Sequence, residues 1–375
     1  MAHREGSQVS GSGPVGVGII GAGVISDQYL SNIVTFPDLK ALFVADIDLD
    51  RAAAQAAKYG IAASGTVDEL LANPDIEIVV NLTIPAVHVE VATRAVEAGK
   101  SVWTEKPFSL DRESGLGLLA KAKAAGVRVA CAPDTVLGGG LQSARRLIES
   151  GTIGTALTGL TLFQSPGPES WHPSPEFLFA VGGGPLFDIG PYYLTTLVQI
   201  FGPIAKVTAT SSTATPTRVI GSGPKAGNVF PVEVPTHYSV LIQFESGQSA
   251  QSVFSFESKL QRAGFVEIAG TDGTAVLPDP NIFDGDTVVW RGPDDSETFE
   301  PEGAMLGRGT GVAELAQAIR ADRPERASGE LAYHVLDAMV SIAESAERDE
   351  SIDVVSSVVL PPVMPAEWDP RVATL

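Results

Sequence analysis

The chain has a single cysteine, Cys131, in 375 residues, so no intrachain disulfide can form. Cys131 lies within an apolar run, and we expect it to be a small core residue. Basic residues are also scarce: 25 lysines and arginines stand against 45 aspartates and glutamates, and the formal net charge is −20. This charge repels phosphate backbones and anionic membranes, so the sequence predicts neither a nucleic acid nor a membrane as partner.

Long apolar runs are missing as well, since no stretch approaches the ~18 consecutive apolar residues of a membrane-spanning helix. Residues 1–14 are polar and rich in glycine and serine, without the apolar centre of a secretory signal peptide. We therefore expect a disordered tail on a cytoplasmic protein. No cluster of His, Cys, Asp and Glu has the spacing of metal ligands, so no metal site is predicted.

Residues 15–150 contain a regular alternation of apolar strands and helices. Gly60, Gly99 and Gly126 each follow a helical segment, at the position where glycine commonly ends a helix. Short loops between such β-α-β units imply a parallel sheet with right-handed crossovers. The pattern predicts an α/β domain of the doubly wound type over residues 15–150.

The first strand of this domain ends in a turn with two glycines, Gly21 and Gly23, followed by a helix start. A turn without side chains lets a pyrophosphate approach, and the amides at the helix N-terminus supply partial positive charge. Asp46 ends the second strand, where a carboxylate binds ribose hydroxyls and repels a 2′-phosphate. The sequence therefore predicts a Rossmann NAD(P) site that favours NAD, although the nearby Arg51 leaves NADP open. The turn residues assigned to this site are Gly21, Ala22, Gly23, Val24 and Ile25.

Residues 151–375 have a different pattern, with strands rich in Thr, Val and Phe that are separated in part by tight turns. With helices predicted at Pro191–Phe201, Gly311–Ala321 and Gly329–Glu347, they indicate an α+β domain with a large, mostly antiparallel open sheet. The proline-containing stretch Thr213–Pro235 is interpreted as a long loop. The predicted strands are Thr155–Gln164, Val207–Ser211, Thr236–Phe244, Ser249–Ser258, Phe265–Gly270 and Thr274–Leu277.

Four motifs, in chain order, resemble those of the Gfo/Idh/MocA family of oxidoreductases. They are Thr83-Ile84-Pro85-Ala86-Val87-His88, Glu105-Lys106-Pro107, Trp171-His172 and the glycine-rich stretch from Gly182 to Tyr192. The resemblance implies an NAD(P)-dependent enzyme that acts on CH–OH groups, with a substrate-binding and oligomerisation domain over residues 151–375. It also implies a homodimer or homotetramer that covers the open sheet face. The further cofactor-binding residues that it implies are Thr83, Pro85, His88, Glu105 and Lys106.

Lys106 is the predicted main acid/base, because an amine can hydrogen-bond a carbinol oxygen and shuttle its proton. We expect burial and the positive charge of the nicotinamide to lower the pKa of Lys106 toward neutrality. Asp188 is interpreted as the N-cap of a helix over Ile189–Phe201, as a contact that orients substrate and catalytic groups, or as both. Tyr192 stands where the family most often has histidine, and a phenol is a poorer proton acceptor at neutral pH. Either Lys106 is the only effective acid/base, or Tyr192 or His172 replaces the imidazole.

Aromatic and small polar side chains around these positions suit a sugar or polyol. His88 is interpreted as a cofactor contact or a helix-face residue, and Asp134 as a substrate contact or a turn residue. The leading hypothesis is an NAD(P)-dependent dehydrogenase or reductase of a sugar, cyclitol or glycoside. Two others stay open: an NAD-dependent enzyme that cleaves a glycoside by transient oxidation and elimination, and a non-catalytic cofactor-binding sensor. The predicted substrate contacts are Asp134, Trp171, His172, Asp188 and Tyr192.

Overall fold

The computed structural model describes residues 12–375, so most of the predicted N-terminal tail lies outside the described residues. The first part of the chain forms a six-stranded parallel sheet in the order β3-β2-β1-β4-β5-β6, the doubly wound order of a dinucleotide-binding domain. The predicted Rossmann fold is confirmed. Its strands are β1 (Val15–Ile20), β2 (Leu39–Ala45), β3 (Ala63–Gly65), β4 (Ile78–Asn81), β5 (Ser101–Thr104) and β6 (Val129–Cys131). Its helices are α1 (Val24–Ile33), α2 (Leu49–Lys58), α3 (Val67–Ala72), α4 (His88–Glu97), α5 (Arg112–Ala125) and α6 (Gly139–Glu149).

The second part of the chain forms a nine-stranded sheet in which only β7 and β12 pair in parallel. The predicted large, mostly antiparallel sheet is therefore confirmed. In spatial order its strands are β16 (Asp295–Phe299), β15 (Thr287–Gly292), β14 (Thr274–Leu277), β13 (Arg262–Gly270), β7 (Ala156–Gln164), β12 (Ser249–Ser255), β11 (His237–Phe244), β8 (Ile204–Ser212) and β17 (Ile352–Asp353). The helices of this part are α7 (Gly184–Phe201), α8 (Thr310–Arg320) and α9 (Gly329–Arg348).

Two predictions about the second part are wrong. The stretch Thr213–Pro235 is not a plain loop, because it contains a hairpin of β9 (Thr217–Val219) and β10 (Val229–Pro231). Helix α7 begins at Gly184, so Asp188 is inside the helix and is not its N-cap. The helix runs through Pro191 because nearly every residue of α7 is buried, and this packing outweighs the missing backbone donor.

Helix α7 is packed between the second sheet and α9. A Cβ on Gly159 of β7 would lie 3.0 Å from Leu197 of α7, and one on Gly190 of α7 would lie 3.3 Å from Met339 of α9. Small residues at these two points let the backbones approach closely. This packing holds the first turns of α7 at the boundary between the two parts of the chain.

Helix α8 belongs to the second part of the sequence but packs on the first sheet. A Cβ on Gly311 would lie 1.9 Å from the buried ring of Trp103 in β5, so only glycine fits there. The chain therefore crosses back to the parallel sheet after its antiparallel one.

Among the described residues, no helix is both long enough and apolar enough to span a bilayer.

Candidate active site

Four predicted functional segments follow the carboxyl ends of parallel strands and so lie along one edge of the sheet. Gly21 follows β1, Asp46 follows β2, Thr83 follows β4 and Glu105 follows β5. The strand order reverses between β1 and β4, and ligands of such folds bind in the crevice beside this switch point. The predicted cofactor and catalytic residues of the first domain are thus brought to the same edge.

The glycine turn fits a pyrophosphate. Gly21 has φ +103°, and a Cβ there would lie 2.7 Å from the carbonyl oxygen of Leu82, so the position requires glycine. Gly23 precedes α1 as its N-cap, and a Cβ there would meet no atom within 4 Å. The open backbone at Gly23 and the N-terminus of α1 together form a cradle for an anion.

Asp46 is tied to this turn by both carboxylate oxygens. Oδ2 accepts a hydrogen bond from the amide of Ala22 at 2.7 Å, and Oδ1 accepts from Arg51 Nη2 at 2.7 Å and from the amide of Asp48 at 2.9 Å. Burial alone would raise the pKa of Asp46, but the bond to Arg51 and the backbone bonds lower it overall. The carboxylate is therefore charged at neutral pH, and Arg51 lies against it.

Exposed apolar side chains flank the same edge of the sheet. Val24 at the start of α1 is 90% exposed, Ile47 after Asp46 is 95% exposed, and Ile84 after β4 is 59% exposed. Apolar groups exposed together at one edge indicate a surface that a ligand covers. This surface and the glycine cradle fit a dinucleotide with flat apolar rings at its ends.

Lys106 and Asp188 join the two parts of the chain. Lys106 Nζ donates to Asp188 Oδ1 at 2.7 Å and to the Asp188 carbonyl oxygen at 2.6 Å, and both side chains are mostly buried. Glu105 accepts hydrogen bonds from the Tyr29 hydroxyl at 2.7 Å and from the Lys106 amide at 3.1 Å. The peptide bond between Lys106 and Pro107 is cis. Through its two hydrogen bonds to Asp188, the lysine that follows β5 contacts α7 directly.

The pKa of Lys106 shifts in the direction opposite to our expectation. Burial lowers this pKa, but the Asp188 carboxylate, together with Tyr192 and Glu105, outweighs burial and raises the pKa above its ordinary value. The ammonium is therefore the resting form of Lys106 at neutral pH. Burial was the cause that the sequence indicated, whereas the direct contact with a carboxylate depends on the tertiary fold.

Tyr192 lies between two cations. Its ring centroid is 5.3 Å from Lys106 Nζ and 5.6 Å from the guanidinium carbon of Arg308. Its hydroxyl accepts a hydrogen bond from Arg308 Nη2 at 3.1 Å, which leaves the hydroxyl proton free to be donated. Arg308 was not predicted from the sequence, because no motif marks the segment before α8. It reaches the site because α8 returns to the first sheet.

Asp134 lies beneath the site rather than in it. The residue is fully buried, and its carboxylate accepts hydrogen bonds from Arg308 Nη1 at 3.1 Å and from the Gly309 amide at 2.8 Å. Burial raises the pKa of Asp134, and Arg308 opposes this shift. The predicted direct contact between Asp134 and a substrate is therefore wrong, because packing against the start of α8 covers the carboxylate. Asp134 holds Arg308 instead.

His88 connects the loops after β4 and β5, at the sheet edge where the predicted cofactor residues lie. Its Nδ1 is 3.0 Å from the Pro107 carbonyl oxygen and its Nε2 is 3.0 Å from the Thr83 carbonyl oxygen. The side chain is buried, and burial lowers its pKa. His88 therefore connects and supports the loops after β4 and β5.

His334, on α9, is also buried and lies away from this site. Its Nε2 accepts a hydrogen bond from the Ile204 amide at 2.9 Å.

Trp171 and His172 stand at the opening of the site. Trp171 is 67% exposed, and the His172 ring contacts Trp171 and Phe177 edge-on, with centroid distances of 5.5 Å in both cases. His172 Nδ1 accepts a hydrogen bond from the Ser174 amide at 3.1 Å, so its other ring nitrogen is the one left for a ligand.

Ten of the predicted residues line one cavity of about 300 Å³ between the two parts of the chain. Arg308 and Phe187 line it as well. The predicted residues among its walls are Ile25, Thr83, Pro85, His88, Glu105, Lys106, Trp171, His172, Asp188 and Tyr192. In the part of the chain that the structure describes, no group of three His, Cys, Asp or Glu side chains is arranged to hold a metal ion.

Comparison with known proteins bears on both parts of the chain. Residues 15–132 match the family model for the NAD-binding Rossmann fold of the Gfo/Idh/MocA oxidoreductases, and residues 141–276 match that for the C-terminal domain of the same family. The chain is also 31% identical over 257 residues to an uncharacterized oxidoreductase, ORF334, of Rhizobium meliloti, with 68% of this chain and 71% of that protein covered. The chain belongs to the Gfo/Idh/MocA family. It is an NAD-binding oxidoreductase, as the motifs predicted.

Other proteins to which the chain is similar have more specific names. The D-xylose dehydrogenase of Paenarthrobacter nicotinovorans is 27% identical over 237 residues, which cover 59% of each chain. An NAD-binding oxidoreductase from Klebsiella pneumoniae superposes with a TM-score of 0.78 at 25% identity, over 92% of this chain and 100% of the other. A levoglucosan dehydrogenase in complex with NADH and levoglucosan superposes with a TM-score of 0.79 at 22% identity, over 91% of this chain and 99% of the other, and this shows the shared fold.

Proposed function

We propose that this family member is an NAD-dependent dehydrogenase or reductase of a sugar, cyclitol or glycoside, with Lys106 as its main acid/base. The observation that carries the proposal is the Lys106–Asp188 contact of 2.7 Å. It lies in the cavity that is also lined by predicted cofactor residues such as Thr83 and Glu105. Relatives named as D-xylose dehydrogenase and 1,5-anhydro-D-fructose reductase support a carbohydrate substrate. A non-catalytic sensor has no need of a buried amine and carboxylate at this position.

Oxidation of a carbinol removes a hydride with two electrons from carbon and a proton from oxygen. NAD held at the glycine turn and Asp46 would supply the acceptor for that hydride. Lys106 has three N–H donors, and two of them are directed at Asp188, so the third is available for the substrate oxygen. In the direction of reduction, the Lys106 ammonium donates a proton to the carbonyl oxygen as the hydride reaches the carbon. Oxidation is the reverse: Lys106 first loses a proton to solvent, and its neutral amine then accepts the hydroxyl proton. Asp188 keeps the amine in place.

We propose that Tyr192, rather than His172, fills the position of the missing histidine. Arg308 and Lys106 flank Tyr192, and the free hydroxyl proton of Tyr192 makes it a hydrogen-bond donor to a substrate oxygen. His172 and Trp171 are then substrate contacts at the opening of the cavity. Arg308, held by Asp134, orients the Tyr192 hydroxyl.

The cofactor contacts are assigned from the same geometry. The residues proposed to hold NAD are Gly21, Ala22, Gly23, Val24, Ile25, Asp46, Thr83, Pro85, His88, Glu105 and Lys106. The Asp46 carboxylate favours NAD over NADP, because a 2′-phosphate would be repelled. The partial neutralisation of Asp46 by Arg51 keeps NADP as a weaker alternative.

We also propose a homodimer or homotetramer. Alternate side chains on one face of β11 are exposed, and Leu241 among them is 56% exposed. A wide sheet with one uncovered face is a frequent subunit contact. A monomeric mass in light scattering of the purified protein would contradict this.

The cytoplasmic location stays a prediction from the sequence.

Replacement of Lys106 tests the proposed function. The Lys106→Met variant keeps the length of the side chain but has no proton to exchange, so kcat with an accepted sugar is expected to fall by at least ~100-fold. The dissociation constant for NAD, measured by fluorescence titration, is expected to rise by much less than kcat falls, because Lys106 is one of eleven proposed NAD contacts and the glycine turn and Asp46 are unchanged. Lys123→Met, at an exposed position of α5, is the matched control. Near-normal kcat in Lys106→Met would contradict the role of Lys106.

A further inference from the structure

A second cavity, of about 400 Å³, adjoins the candidate active site. Asp188 and Trp171 line both cavities, so the two spaces are neighbours around these side chains. We call the second cavity the distal pocket and define it by Phe163, Tyr193, Phe256, Gln261, Ala263 and Asp279, which line it but not the first cavity. The distal pocket is at least as large as the cavity that holds Lys106.

One side of the distal pocket is aromatic and firmly held. The ring of Phe163 contacts Tyr193 edge-on at a centroid distance of 6.3 Å and Phe256 at 6.2 Å. The Tyr193 hydroxyl accepts a hydrogen bond from the Gly264 amide at 2.8 Å, which fixes the orientation of its ring. Phe256 and Tyr193 are almost fully buried. These two buried rings hold Phe163, which is only partly buried. Phe163 and the exposed Trp171 offer the apolar surface on which the C–H face of a cyclic ligand can pack.

The other side of the distal pocket is polar. Asp279 is half-buried, and its Oδ1 accepts one hydrogen bond, from the Asn281 amide at 2.9 Å. Within residues 12–375 no lysine or arginine pairs with Asp279, and burial raises its pKa. The side chain of Asn281 accepts a hydrogen bond from Arg308 at 3.1 Å, so this polar side is linked to the catalytic cavity.

Partly buried carboxylates generally have hydrogen-bond donors around them. Asp279 has one acceptor oxygen without a protein donor, and that oxygen belongs to a residue that lines the pocket. An aromatic surface on one side and a carboxylate with amide groups on the other match the two kinds of surface on a sugar ring, its C–H faces and its hydroxyls. An anionic ligand would be repelled by Asp279.

We infer that the distal pocket binds a second sugar ring, so that the substrate class is a disaccharide or a glycoside with a sugar-like aglycone rather than a free monosaccharide. This inference rests on the proposed function. The ring to be oxidised lies beside Lys106 and Tyr192, and the second ring lies between the aromatic rings and Asp279. Trp171 and Asp188, which line both cavities, lie where the two rings are joined.

The test compares monosaccharides with disaccharides that contain them. Glucose, galactose and xylose are each assayed beside cellobiose, lactose and xylobiose, with NAD, for the purified full chain. We expect kcat/KM to be at least ~10-fold higher for one disaccharide than for its monosaccharide, because a missing group of contacts commonly costs that much or more. In Ala263→Trp, which fills the pocket, and in Asp279→Asn, the ratio of disaccharide to monosaccharide kcat/KM is expected to fall at least ~10-fold. Asp286→Asn, an exposed position in the same loop, is the matched control and leaves the ratio unchanged.

Calorimetric titration of the same sugars separates this inference from the proposed function. If none of the sugars is oxidised but a disaccharide binds at least ~10-fold more tightly than its monosaccharide and Ala263→Trp removes the difference, the distal pocket is supported and the proposed function is not. If monosaccharides are oxidised equally well and the variants leave the ratio unchanged, the second ring is excluded while the proposed function stands. Absence of both turnover and preferential binding of a disaccharide overturns the inference.

Discussion

At the scale of single residues, Asp46 connects the end of β2 to the glycine turn that follows β1. Its carboxylate bonds both to the Ala22 amide of the turn and to Arg51 of α2. The same carboxylate is placed to accept ribose hydroxyls and to repel a 2′-phosphate. Its negative charge persists at neutral pH because hydrogen bonds to Arg51 and to the backbone lower its pKa. In the proposed function, this one side chain accounts for the preference for NAD over NADP.

Replacement of Asp46 is expected to change this preference. In Asp46→Ala the dissociation constant for NAD rises at least ~10-fold, because hydrogen bonds to a charged group are lost. The constant for NADP rises less, since Arg51 is freed to meet the 2′-phosphate. Fluorescence titration with both cofactors measures the two constants. Asp50→Ala, exposed in the first turn of α2, serves as the control. Equal losses for NAD and NADP would contradict the assignment.

The sequence was informative about residues inside motifs and uninformative about their remote neighbours. Lys106, Asp188 and Tyr192 could be chosen because each stands in a recognisable stretch, and they do line one cavity. Arg308 could not, because its position depends on where the chain places α8 in space. The burial of Asp134 has the same cause, since the start of α8 packs over its carboxylate.

At the scale of elements, α5 and α9 are joined by one arginine. Arg112 Nε donates to Asp337 Oδ1 at 2.5 Å, and its other nitrogens donate to Glu344 and Ser341, both at 2.7 Å. Asp337 is fully buried. Burial would raise the pKa of Asp337, but Arg112 and Ser356 lower it overall. Because α9 packs on α7, this ion pair also steadies the helix that carries Asp188.

The Arg112→Ala variant leaves the Asp337 carboxylate buried without a cation, and we expect the free energy of unfolding to fall by about 3 kcal/mol at neutral pH. The pKa of Asp337 is depressed in the folded protein, so the stabilisation is present above the unfolded pKa of about 4 and is lost as the pH falls through the lower folded value. Denaturant unfolding should therefore show a difference between wild type and variant that shrinks in acid.

A matched control for Arg112 is Arg348→Ala. Arg348 is exposed and lies 3.9 Å from the same Glu344, so its loss is expected to change the free energy of unfolding by less than about 0.5 kcal/mol. If the two variants were equally stable, the ion pair on α5 would not carry the stabilisation assigned to it.

The elements themselves were predicted unevenly. Buried strands and glycine-terminated helices of the first domain have clear patterns, and five of its six strands were predicted. Strand β3 was missed, because it has only three residues and none of them is fully buried. Strand β16 could not be read from its sequence, because almost all of Asp295–Phe299 is exposed and no apolar alternation marks it. The start of α7 was placed too late because Pro191 resembles a first-turn proline, whereas Pro185 holds that position.

At the scale of the whole molecule, the candidate active site is assembled from segments that are far apart in sequence. The loops after β4 and β5, the start of α7 and the segment before α8 all reach one cavity. The parallel arrangement of the first sheet, with right-handed crossovers, could be predicted from the alternating elements, whereas its strand order is read from the structure. The return of α8 to that sheet could not, because its apolar face does not specify which of two sheets it will cover. The distal pocket likewise became visible only in the folded chain.

In the proposed function, Lys106 and Asp188 form the site of hydride transfer between nicotinamide and a sugar carbon. Its most direct test supplies the full chain with NAD and a sugar deuterated at its ring carbons, and measures deuterium in the nicotinamide by mass spectrometry. We expect reduced nicotinamide that carries one deuterium, in amounts equal to the oxidised sugar. Cleaved sugar that has kept the deuterium of the oxidised carbon but lost that of a neighbouring carbon, with no net reduced nicotinamide, would contradict this and favour cleavage through transient oxidation.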